Sequence, residues 1–209
     1  MKGVILSLPA KGRVKATRKN FKSQLPLVVF TLFFTVGVVF GAVTSLKSTE
    51  EFLLDMDFLF TTNLQSRLNF GALSSFGAHF ASNFIFFSLA FLCGLSPWGV
   101  GVLPFIVAFK GFGTGLSGAY LMSTYGLKGL GFYLAVELPG AFVFSLALLF
   151  MCCECSKMSL SFARVMLLKS ENTLNLKKYF FRCTYYLLLS AVGALCDMFF
   201  WSFVSGLFF

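Results

Sequence analysis

Charge is what this chain has least of. Asp, Glu, Lys and Arg together make 12% of 209 residues, and only eight of them are acids. A soluble domain carries roughly twice that share, about 25%. Histidine occurs once, at His79, and tryptophan twice. One histidine leaves no room for a histidine-rich metal site, and a lone one near a membrane interface is ordinarily structural. No Ser/His/Asp set, zinc-protease helix motif or phosphate loop is present, which removes the commonest routes to hydrolysis and nucleotide chemistry. No cofactor and no resident metal are expected. Six cysteines occur without the spacing of a disulfide framework.

What is abundant is apolar. Hydrophobic residues make 57% of the chain, with 30 phenylalanines, and the mean hydropathy is +0.84. Thirty such rings do not fit inside one small water-soluble core. The composition is that of an integral membrane protein, whose backbone must satisfy its own hydrogen bonds as helices. The expected class is all-α: a polytopic bundle of about five transmembrane helices plus amphipathic interfacial helices.

The net charge of +9 comes largely from one place. Residues 1–24 form a basic arm with Lys2, Lys11, Arg13, Lys15, Arg18, Lys19 and Lys22 and no acid. A nucleic-acid arm would interleave aromatics to stack on bases, and this one does not. It reads as a topology signal that also touches anionic membrane lipid. No nucleic-acid partner is expected.

Residues 25–46 are the first span, uncharged throughout and too long for a cleaved signal segment. Gly37 and Gly41 make a GxxxG pair that lets another helix come close, although glycine is common in membrane helices generally. Residues 47–75 are polar. Ser48 and Glu51 have capping-box spacing, and Phe52, Leu53, Met56, Leu59 and Phe60 recur at helical spacing around Asp55 and Asp57. That pattern predicts an amphipathic helix on the outer surface, or a face for a partner.

Arg67 and Lys110 then bracket 42 residues without a charge. Pro97 and Trp98 mark the break inside that run. The second span is 76–95 and the third 98–122. A short turn, Tyr125-Gly126-Leu127-Lys128-Gly129, leads to the fourth at 130–152. Residues 153–178 are basic again, with a second interfacial helix suggested by Leu160, Phe162, Val165, Met166 and Leu168. The fifth span is 179–207. With the amino terminus inside, 13 basic residues fall on inner segments and 3 on outer ones. The positive-inside rule therefore places the amino terminus in the cytoplasm and the carboxyl terminus outside.

Three ionisable residues fall inside spans: Lys110, Glu137 and Asp197. From the outer boundary they lie about 18, 11–12 and 15 Å deep at 1.5 Å per residue. A lysine side chain reaches roughly 6 Å, so the three can meet. A lysine at the bilayer centre costs about 3 kcal/mol on insertion scales. The expectation is that Lys110 pairs with Glu137 and that Asp197 joins them or faces water. Such a cluster either fixes helix register or forms a polar site. The sequence also holds two decoys. Gly113 to Gly118 match GxGxxG but lie within a membrane helix, with no strand before them. Cys152, Cys153 and Cys155 are not at zinc-site spacing, and read as small apolar packing residues.

The order of these motifs resembles a family. Val36-Gly37-Val38-Val39-Phe40-Gly41-Ala42 is similar to the opening span of stage II sporulation protein M. Leu92-x-Gly94-Leu95-Ser96 follows, then Phe109-Lys110-Gly111-Phe112, Gly115 and Gly118. Tyr125-Gly126-Leu127-Lys128-Gly129 and Leu138-Pro139 complete the series. The likeness covers about residues 28–150. The sporulation branch tends to follow the proline with a polar pair, where Gly140-Ala141 stand here, and Glu137-Leu138-Pro139 looks more like the broader family. The resemblance implies a membrane scaffold without chemistry of its own. It would anchor two peptidoglycan-cutting enzymes, stage II sporulation proteins D and P, at the septal membrane during forespore engulfment. Gly37, Gly41, Gly111, Gly115, Gly118 and Pro139 would serve helix packing, and a homo-oligomer is compatible with the same spans. The reading from another class is a small permease or channel subunit with its path at Lys110, Glu137 and Asp197.

Overall fold

The computed structural model describes residues 10–47, 72–168 and 175–208. Among these it is helical, with no strand. The elements are α1 (Ala10–Ser45), α2 (Ala72–Gly94), α3 (Gly99–Phe132), a π-helical turn (Tyr133–Glu137), α4 (Leu138–Leu168) and α5 (Leu176–Phe208). Three stretches are long and apolar enough to cross a membrane: Gln24–Ser45, Gly99–Met166 and Leu176–Phe200. The second is 68 residues long and turns back on itself.

That reversal is made at Gly126, with φ 61° and ψ −137°. This backbone conformation is open to glycine and strained for a residue with a side chain. In one straight helix Thr114 and Tyr133 would stand about 28 Å apart. Instead the Tyr133 hydroxyl donates to the Thr114 carbonyl at 3.1 Å. The limb after Gly126 therefore runs back along the limb before it. The expected turn at 125–129 is there, tighter than a loop.

α1 and α3 run parallel, because Gly37 lies against Ala108 and Gly41 against Phe112. α2 is antiparallel to α3, with Asn83 beside Lys110 and Cys93 beside Gly99. α4 and α5 are antiparallel, with Cys155 at Tyr179 and Gly140 at Asp197. The core is aromatic and aliphatic: Phe86, Phe87, Leu103, Val107, Phe144, Leu148 and Met151 are all buried. The outside is also apolar, from Val39 and Phe40 through Phe105 and Leu127 to Phe181. A water-facing surface does not look like this, and a lipid-facing one does.

One boundary differs from the sequence reading. Residues 153–168 do not form a separate interfacial helix; they continue α4 to Leu168. The charges that end the apolar run here do not end the helix. Glu154 accepts from Lys157 at 2.8 Å and from Arg182 on α5, so its charge is matched without a break in the backbone. The basic arm, in turn, is helical from Ala10 onward. The outer amphipathic helix expected around Phe52 to Phe60 lies outside the described residues.

Candidate functional site

Lys110 owes its direction to glycine. On α3, Gly111 and Gly115 press against the carbonyls of Phe34 and Val38; on α1, Gly37 and Gly41 press against those of Ala108 and Phe112. A Cβ at any of the four would collide with a backbone oxygen. The two helices therefore meet backbone to backbone, at a range where Cα–H groups approach carbonyls. This locks the rotation of α3. At 100° per residue, Lys110 projects roughly 120° away from that glycine face. It is aimed into the bundle, toward α2 and α4.

There the ammonium is well partnered. Nζ donates to Asn83 Oδ1 on α2 at 3.0 Å. It lies 5.1 Å from the Phe86 ring centre and 4.6 Å from that of Phe144. Lys110 is 9% exposed and Asn83 5%. The magnitudes balance. Burying the lysine costs about 3 kcal/mol. A hydrogen bond to a charged group returns about 1.5–3 kcal/mol, and a desolvated cation–π contact about 2 kcal/mol.

The acids are held by backbone features. Asp197 on α5 is 7% exposed and rests on Gly140 of α4, where a Cβ would collide with its carboxylate. So the glycine that departs from the sporulation pattern is the seat of an acid. Glu137 ends the π-helical turn, in which the Leu138 N–H donates back five residues to the Tyr133 carbonyl. Pro139 follows, and has no N–H to continue the ladder. Single π-turns of this kind occur often at functional sites. Gly118 gives room to the Tyr133 ring, which a Cβ would approach to 2.9 Å.

Three contributors carried no expectation from the sequence, Asn83, Phe86 and Phe144, and Gly140 stood there only as a departure from the family pattern. Asn83 had a signal, since an amide inside an uncharged span needs a partner. The two rings had none among 30 phenylalanines.

A second polar region lies at the opposite end of the bundle. Ser159 Oγ donates to the Ser96 carbonyl at 2.6 Å and accepts from the Val100 N–H at 3.2 Å, tying α4 to the α2–α3 turn. The Tyr179 hydroxyl donates to the Phe91 carbonyl at 2.9 Å and lies 3.4 Å from Cys155 Sγ. Cys152, Cys153 and Cys155 are buried and unlinked. Among the described residues no group of His, Cys, Asp and Glu is arranged to hold a metal. The glycines of the GxGxxG match lie inside α3, away from any strand-to-helix turn.

No curated protein and no solved structure matches this chain. One family model does, described as stage II sporulation protein M, over residues 30–205. That range runs from the first glycine-bearing span through α4 and into the last helix, well past the motifs that carry the resemblance. The chain belongs to the stage II sporulation protein M family.

Proposed function

We propose that this protein is a non-enzymatic membrane scaffold. It anchors peptidoglycan-degrading enzymes, of the kind of stage II sporulation proteins D and P, at the septal membrane during forespore engulfment. The amino terminus lies in the cytoplasm and the carboxyl terminus outside, so that the segment 47–75 faces the wall with those enzymes. The observation that carries this reading is the packing of Lys110. Its ammonium is bonded to Asn83 and enclosed by Phe86 and Phe144. None of the three described grooves is lined by Lys110, Glu137 or Asp197. A charge held so closely suits a register lock better than a path for ions. The test is a pull-down in mild detergent from sporulating cells. Wall hydrolases recovered with the wild type, and lost when residues 47–75 are replaced by a neutral linker, are expected. Recovery of none overturns the reading.

A small permease or channel subunit is the second reading. Three ionisable side chains within helices favour it, since intramembrane charges commonly mark transport paths. Ion or proton flux in liposomes, abolished by Lys110→Met, would establish it.

A further inference from the structure

At the end of the bundle where the α2–α3 turn lies, α1, α3 and α4 enclose a groove of about 400 Å³. Its walls are apolar, with Val29 and Phe30 on α1 and Val100 and Pro104 on α3. Lys157 of α4 stands on its lining. The polarity is therefore graded: hydrocarbon along the groove, then one cation.

That cation is not cancelled. Lys157 and Arg182 both bond to Glu154, so two positive charges share one carboxylate and one is left over. The Lys157 side chain is 54% exposed, within reach of a second anion. Pro104 removes one donor beside the groove. Having no N–H, it cannot donate to the carbonyl of Val100 one turn earlier, and Val100 also lines the groove. A ligand that fits has a long apolar chain, an anionic group at one end, and hydroxyls that can donate beside it.

We propose that this groove is a specific site for an anionic phospholipid. One acyl chain lies along Val29, Phe30 and Pro104, and the phosphate accepts from Lys157. The site stands whether or not the scaffold reading does, since it needs only the membrane helices.

The test uses the purified full chain in detergent, titrated with dioleoylphosphatidylglycerol or dioleoylphosphatidylcholine and followed by native mass spectrometry. Lys157→Gln should lower the preference for the glycerol lipid about fivefold, from roughly 1 kcal/mol for a lysine near a phosphate surface. Arg164→Gln, an exposed cation on the same helix, should leave it unchanged. Val29→Trp should reduce retention of both lipids by filling the groove, with Leu160→Trp as the substitute if that variant loses helicity. Equal effects of Lys157→Gln and Arg164→Gln would show diffuse attraction and overturn the site. So would unchanged binding in both tryptophan variants, or a dimer that Val29→Trp disperses, because a second copy would then occupy the groove.

Discussion

Gly115→Ala puts one methyl group against the backbone of α1. The new Cβ would stand 2.8 Å from the Val38 carbonyl carbon and 2.9 Å from its Cα. The Val38 carbonyl oxygen is closer still, and ordinary contact begins near 3.4 Å, so the helices must part by more than about 0.6 Å. A carbonyl cannot swing aside as a side chain can. The cost therefore falls at the upper end of the overpacking range, about 3 kcal/mol. Alanine's better helix propensity returns about 1 kcal/mol. The net loss is about 2 kcal/mol, a shift of roughly thirtyfold in the unfolding equilibrium. Gly101→Ala is the matched control. It lies on the same helix with nothing within 4 Å of its would-be Cβ. It should be neutral or stabilising by up to about 1 kcal/mol. Unfolding in mixed micelles titrated with sodium dodecyl sulfate, read by far-ultraviolet circular dichroism, measures both. Equal stability of the two variants would refute the backbone contact between α1 and α3.

Three further outcomes follow from the charge cluster and the reversal. Lys110→Glu should destabilise by about 3–5 kcal/mol, as expected when a buried charge loses its partners; if Glu137 pairs with Lys110 directly, adding Glu137→Lys should recover much of that in the same assay, and no recovery would count against direct pairing. Gly140→Ala should cost about 1–3 kcal/mol by displacing the Asp197 carboxylate, and Asp197→Ala should relieve part of it, giving a coupling above about 0.5 kcal/mol in a double-mutant cycle. Gly126→Ala should cost about 1–3 kcal/mol through backbone strain alone, whereas Gly77→Ala, which meets nothing within 4 Å, should not.

The membrane-embedded helices were legible because their signals are local. An uncharged run of 22 residues, a GxxxG pair and a glycine-centred turn can each be read without knowing what lies across the bundle. The extension of α4 to Leu168 was not legible. Hydropathy falls at Glu154, but the partner that keeps that acid inside a helix, Arg182, comes 28 residues later. Lys110 shows the same limit. Its need for partners is plain from depth and cost, while the choice of Asn83 depends on how α2 faces α3. Gly140 is the instructive case: in sequence it is a departure from a family pattern, and in three dimensions it is the floor under Asp197.

Gly126 has one more consequence. A single residue joins the limb that carries Lys110 to the limb that carries Glu137, so little slack exists between them. A load applied near Leu127 and Lys128 is transmitted to both limbs together. The pair behaves as a stiff staple, and any tug from outside reaches the cluster without being absorbed by a loop.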